Sequence, residues 1–352
     1  MSLDGTWRDK CDAASRDLIA TGAVHSSPAL LPYKPPVVVL YAHDHAWEYE
    51  FLMKELFLTT FTVRTIFYDG EGFNLDQLVA QTNTESEGGR LPIIMVVRSV
   101  GEGGCQRQTD FARRVRPTVA VLLADEYRGG RCLHDWFGSH PEFVRLVLRQ
   151  YSWQKHEFKN YSTVHNIVLG HMPGTFKLHF HRSQLKAASD RSLVWSFFGA
   201  YKNDRKEMEN ELRHLNPRQT RFPTHDGEQA VAPWMGEQYQ RSQFVPIGRG
   251  NAVLDCFRIY EASRAGAIPV IVGPEKELHE TFSHFIGHPD AMPPWLFAQS
   301  WKEAAQLMSK MKSEPRQLND VQTKVLDFFD DEVRAARRAM LVEVAAYCPP
   351  LT

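Results

Sequence analysis

The chain has 352 residues, 43% hydrophobic and 24% charged, with 41 basic against 42 acidic side chains. That length supports a sizeable core and two domains, and the even charge excludes the basic excess of a dedicated nucleic-acid binder. The five cysteines, Cys11, Cys105, Cys132, Cys256 and Cys348, are scattered without a CxxC pair, so neither a zinc site nor a disulfide scaffold is indicated, although one or two disulfides are compatible with them.

Residues 1–34 read as a helical lead-in ending in a proline-rich loop. VVVLYA (37–42) is a continuous β-branched run of the kind a doubly covered parallel strand requires. HAWEYEFLMKELF (45–57) has the period of an amphipathic helix, TVRTIFYD (62–69) that of a strand, and NLDQLVAQT (74–82) that of a helix. LPIIMVVRS (91–99) is a further buried strand, and FARRVRPTVAVLLADE (111–126) reads as helix, Pro117, strand. The alternation predicts an α/β domain with a parallel sheet over residues 35–175. EFVRLVLRQYSWQKHEF (142–158) is expected to be helical, and TVHNIVLGHMPG (163–174) a strand and turn.

A second α/β series is predicted over 176–317. SLVWSFFGAYK (192–202) is a strand and glycine turn, followed by a charged helix over 203–215 with Asn203 or Asp204 as N-cap. SQFVPIGRG (242–250) is a strand and turn. A helix started by Asp255 and closed by Gly266 comes next, then the strand IPVIV (268–272). Helices follow at 301–312 and over 318–347, the last giving a C-terminal helix segment, 318–352. No run approaches the ~18 apolar residues of a membrane span, and MSLDGTWRDKCDAASRDL lacks a signal-peptide core. Two Rossmann-like lobes facing each other would bind a ligand at the carboxyl ends of their strands.

The chemistry concentrates in the second lobe. Gly199 ends a strand, which lets backbone approach a ligand, and Lys202, Arg205 and Lys206 follow at a helix N-terminus that already favours an anion. Arg249, Gly250 and Asn251 form a donor-rich turn. Arg258 and Glu261 share a helical face: the guanidinium can fork onto a phosphate, and the carboxylate can accept from a ribose diol. The competing account of this pair is a solvated i,i+3 salt bridge, and that of Gly199 is an ordinary β-α turn. In the first lobe, Asp125 and Glu126 end the VAVLLADE strand and are the candidate general base. Their alternatives are capping, or pairing with Arg128 or Arg131. His43, Asp44 and His45 occupy an equivalent strand end and suit proton transfer; a metal reading of this trio with His179 and His181 is weaker.

RGN–LDCFRIYEASRAGAIPVIV resembles the carboxyl-terminal motif of exostosin-type glycosyltransferases (glycosyltransferase family 47), and WSFFGAYKNDR resembles the same family's strand–glycine–arginine element. VLLADE and YSTVHNIVLGHMPG are similar to its ribitol xylosyltransferase branch. The resemblance covers about residues 118–275. It implies a GT-B fold, an inverting and metal-independent reaction, and a UDP-sugar donor, with UDP-xylose suggested by the branch. The acceptor would be a glycan or glycoprotein hydroxyl. Arg258 would contact the diphosphate, Glu261 the ribose, and Gly199 and Arg205 the phosphate side. No further cofactor or metal is implied, and the sequence has no Asp-x-Asp motif. The resemblance also implies a Golgi location, with membrane attachment through an anchor that this sequence does not show. Two positions depart from the pattern: Gly248 replaces the usual proline, and Cys256, a poorer hydrogen-bonding group, the usual serine. An inactive GT-B-fold nucleotide or glycan binder is therefore the alternative. A dinucleotide oxidoreductase is disfavoured because YAHDHAWE stands where GxGxxG is required.

Overall fold

The computed structural model describes residues 34–347 apart from 43–45, 69–72, 84–90, 99–101, 124–130, 152–162, 177–180, 223–231 and 251–252. The expected lead-in therefore lies outside the described residues.

The first lobe is built on six parallel strands: β1 (Pro36–Ala42), β2 (Thr62–Tyr68), β3 (Ile93–Arg98), β4 (Val119–Leu123), β5 (Leu146–Arg149) and β6 (Val164–Asn166), ordered β2-β1-β3-β4-β5-β6. Its helices are α1 (Ala46–Glu50), which continues as a π-helical segment Phe51–Phe57, then α2 (Leu75–Asn83), α3 (Glu102–Val115) and α4 (Arg131–Ser139). The apolar run of β1 is buried on both faces because its side chains alternate. Val37, Val39 and Tyr41 enter one hydrophobic cluster and Val38, Leu40 and Ala42 another.

The second lobe holds β7 (Leu193–Phe198), β8 (Arg218–Arg221), β9 (Ser242–Ile247), β10 (Ile268–Val272) and β11 (Leu296–Ala298), all parallel in the order β11-β10-β9-β7-β8. They alternate with α5 (Arg205–Leu212), α6 (Ala232–Arg241), α7 (Phe257–Arg264) and α8 (Glu275–Phe282), with α9 (Trp301–Lys312) after the last strand. The result is the predicted α/β architecture, two Rossmann-like lobes with parallel sheets. Each sheet reverses its winding between its first and third strands, and such switch points leave a crevice at the strand ends. In the second lobe the crevice lies between β7 and β9.

The helix expected over 142–158 is not formed: Leu146–Arg149 is β5, paired with both β4 and β6. Four successive buried residues satisfy a strand covered on both faces, and a short apolar run cannot by itself be told from a buried helix segment. The helix before Pro117 starts at Glu102, well before Phe111. Asp204 occupies the N-cap position of α5 without making a side-chain cap bond.

The last helix, α10 (Pro315–Tyr347), packs along both lobes. Its buried stripe, including Leu318, Val325, Phe329, Val333, Ala336 and Met340, belongs to a cluster shared by both lobes. It packs on β4, β5 and the π-helical segment of the first lobe, and on α7 and β10 of the second. Between the lobes runs the segment 167–176. Gly170 sits there at φ +80° against Phe51, whose ring leaves no room for a Cβ: one would lie 2.1 Å from Cγ.

Candidate functional site

The site assembles where β7 and β9 end. Phe198 closes β7, and Gly199 follows. A Cβ on Gly199 would meet Arg258 Nη2 at 2.9 Å and Arg205 Nη1 at 3.2 Å, so the absent side chain admits both guanidiniums to the backbone. Arg205 enters from the first turn of α5, is buried, and donates to the Ala200 carbonyl at 2.8 Å. Arg258 enters from α7, is partly exposed, and donates through Nε to the Phe198 carbonyl at 2.8 Å. Both guanidiniums stand over the Phe197 ring, at 5.5 and 5.7 Å from its centroid. Two like charges share one aromatic platform, and no carboxylate lies within ion-pairing distance of Arg258 among the described residues. Gly248, after β9, completes the arrangement, since a Cβ there would lie 2.4 Å from Arg205 Cγ.

The N-terminus of α7 differs from expectation. Cys256, not Asp255, holds the N-cap position, in extended backbone and without a side-chain cap bond. Asp255 is buried and accepts from the Tyr260 hydroxyl at 2.7 Å. Burial pushes the free Cys256 thiol up, with partial opposition from Arg258. The other end of α7 is as the sequence predicts. Gly266, at φ +67°, donates to Ser263, and Ala267 donates to Ala262, which together close the helix.

Glu261 is not a solvated partner of Arg258. It is 0% exposed, and its Oε1 accepts from the Met172 amide at 3.1 Å and the Thr175 hydroxyl at 3.2 Å, both on the interlobe segment. Its Oε2 is buried without a hydrogen-bond partner. Burial raises its carboxyl above the ordinary range, and the Met172 amide, Arg258, His171 and Thr175 oppose that rise only in part. The Tyr239 hydroxyl on α6 is likewise buried without a partner. Burial is the main cause raising this phenol, and Glu261, Arg258, Cys256 and Arg205 all act on it electrostatically. An orphaned donor and an orphaned acceptor thus sit beside the arginine pair. Each is costly to leave unpaired.

The remaining candidates fall around this centre or outside the described residues. Arg249 is committed to Glu277 of α8 in a two-pronged pair at 2.6 and 2.8 Å, so its fork is not free for an anion. Its amide donates to Asp204 Oδ1 at 2.8 Å, and Asp204 Oδ2 accepts from Trp301 at 2.9 Å, which explains why Asp204 makes no cap bond. Gly250 is buried, and its carbonyl accepts from Asn203 at 2.5 Å. Lys202 is partly exposed, and its carbonyl accepts the Arg205 amide at 3.1 Å. Asn251, Asp125 and Glu126 lie outside the described residues, as do His43, Asp44 and His45. Among the described residues no group of three or more His, Cys, Asp or Glu is arranged to hold a metal, and no helix is long and apolar enough to cross a membrane. Sequence reasoning did not single out Phe197 or Tyr239. Phe197 was legible as the residue before the strand-ending Phe198-Gly199, whereas Tyr239 carries no signal, since it reaches the site only through the crossover of α6.

No protein-family model matches the chain, and no curated protein matches it. Among solved structures, Arabidopsis thaliana UGT89C1, complexed with quercetin, is similar with 9% identity and a TM-score of 0.46, covering 90% of this chain and 100% of that one. The wall teichoic acid polymerase TagF is similar with 10% identity and a TM-score of 0.34, covering 96% of this chain and 97% of that one.

Proposed function

We propose that this chain is a glycosyltransferase of exostosin type that transfers a sugar from a UDP-sugar to a glycan or glycoprotein hydroxyl, with inversion and without a metal. The observation that carries the reading is the pair of guanidiniums over Phe197 at a strand switch point. Such a pair suits a diphosphate, whose charge must be stabilised as it leaves. Arg205 and Arg258 take the diphosphate beside Gly199, with the α5 N-terminus adding its dipole. Glu261 takes the ribose through the unpartnered Oε2. Asp125 or Glu126, following β4 in the first lobe, deprotonates the acceptor hydroxyl. Lys202, Gly250 and Asn251 border the donor, and Arg249 serves the turn through its amide and its clip to Glu277. UDP-xylose is the donor favoured by the sequence resemblance.

Calorimetry with UDP tests the donor site. The wild type is expected to bind, and Arg258→Ala to lose most of that affinity; a wild type that binds no UDP removes the reading. Cys256, with no cap bond at the α7 N-terminus, favours a second reading in which the site binds without turnover. Transfer from any member of a UDP-sugar panel eliminates it. A Golgi location is the one the sequence resemblance implies.

A further inference from the structure

The loop that leaves β7 carries Tyr201, which at 53% exposure is the most exposed large hydrophobic side chain among the described residues. A single exposed aromatic needs no explanation, but this one is held in place twice. Its ring lies flat on Phe222, with centroids 4.1 Å apart and planes 1° from parallel. That is closer than the ~4.5–7 Å usual for ring pairs, which also tend to be offset or tilted. Its hydroxyl donates to Glu209 on α5, and that bond, with smaller help from burial and charge, pushes the phenol up to about 12, so the ring stays neutral. One face of the ring is covered by Phe222.

What lies behind Phe222 gives the ring its context. Phe222 packs against Phe197 at 5.3 Å, and Phe197 is the ring beneath the guanidiniums of Arg205 and Arg258. An unbroken run of three aromatic rings therefore joins the cationic pair to a preset, solvent-facing aromatic surface. The run crosses the carboxyl ends of β7 and its edge neighbour β8, where Phe222 follows Arg221. A ligand with an anionic centre and a flat ring at one end matches this layout. In a nucleoside diphosphate the ring is the base, the part furthest from the reacting sugar carbon.

We infer that the exposed face of Tyr201 stacks the nucleobase of the nucleoside diphosphate whose phosphates rest on Arg205 and Arg258, with Phe222 as its backing. The inference rests on the proposed donor reading. Stacking on an aromatic tolerates any base, because every base has a π-face. Tyr201 thus supplies affinity, and discrimination among bases falls to other groups.

The test is calorimetry with two probes, UDP and inorganic pyrophosphate, on the wild type, Tyr201→Phe and Tyr201→Ala. Tyr201→Ala is expected to weaken UDP by about tenfold, within the range for loss of one base–aromatic stack, while pyrophosphate binds as in the wild type. Tyr201→Phe, which keeps the ring and loses the Glu209 bond, is expected to stay within about threefold for UDP. Unchanged UDP affinity in Tyr201→Ala overturns the inference. An equal loss for both probes also overturns it, since the ring would then only support the loop beneath the arginines; because pyrophosphate reports the arginine pair directly, it also shows that the variant is folded. A wild type that binds pyrophosphate but not UDP overturns the base subsite and leaves an anion site. A wild type that binds neither removes the donor reading itself, before any variant is compared.

Discussion

Arg258 is positioned by neutral partners, the Phe198 carbonyl and the Phe197 face, so its charge remains for a ligand. Replacing it with alanine is expected to cost UDP affinity by the ~1.5–3 kcal/mol of a charge-assisted hydrogen bond, with little change in melting temperature. Gly248→Ala makes a complementary prediction. The new Cβ would overlap the Arg205 stem, so UDP affinity should fall although no ligand-contacting atom is removed; a structure of the variant should show Arg205 displaced. Glu261→Gln separates charge from shape. The amide oxygen can still accept from Met172 and Thr175, while the buried charge disappears. A carboxyl whose folded pKa is raised favours folding below its unfolded pKa and loses that contribution as pH rises through the folded value. The variant should therefore be at least as stable as the wild type near pH 7, the difference should vanish in acid, and UDP affinity should drop. Thermal melts across pH, paired with calorimetry, check all three. Gly199, Arg205 and Arg258 were legible in the sequence because a glycine after an apolar strand and a basic first helical turn are local patterns. The burial of Glu261 was not, because its partners lie on a segment far away in the chain.

The elements around the site are fixed by clips that span them. The Arg249–Glu277 pair ties the turn after β9 to α8, with both side chains about one-third exposed. Arg249→Ala should thus cost no more than ~1 kcal/mol of stability, as for other half-exposed pairs, and should weaken UDP far less than Arg258→Ala. Equal losses from the two variants would show that Arg249 leaves Glu277 for the ligand. Among the strands, β1, β3, β4, β7, β9 and β10 were readable as continuous apolar runs, since a parallel sheet covered on both faces imposes that pattern. β5 was misread. Leu146–Arg149 carries the same kind of run, but the residues on either side continue it into a helix-like period, and only pairing with β4 and β6 decides for a strand. β8 was missed altogether because RQTR at a sheet edge has no apolar signal.

The two lobes meet at Glu55, on the π-helical segment of the first. Its carboxylate pairs with Arg264 at the end of α7, Arg337 of α10 and His171 of the interlobe segment, and its carbonyl accepts from Arg337 at 2.5 Å. Burial alone would raise this carboxyl, but His171 and Arg264 outweigh it and hold the pKa at about 2. A depressed carboxyl contributes stability that is present above its unfolded pKa and lost as pH falls through the folded value. The latch should hold at neutral pH and weaken from about pH 4.5 down toward 2, a contribution of about 2–3 kcal/mol. Glu55→Gln is expected to lose that amount in denaturant melts at pH 7 and to show a smaller further loss in acid than the wild type.

The α/β class, the two successive series and the motif residues followed from the sequence, because strand burial, glycine turns and helix starts are written in neighbouring residues. How the lobes join was not. Glu55 with Arg264, Glu261 with Thr175, and the stack from Arg258 through Phe197 and Phe222 to Tyr201 each link positions that are distant in the chain. Charge, burial and ring contact depend on proximity in space, and proximity is set only when both sheets and α10 have packed into one core.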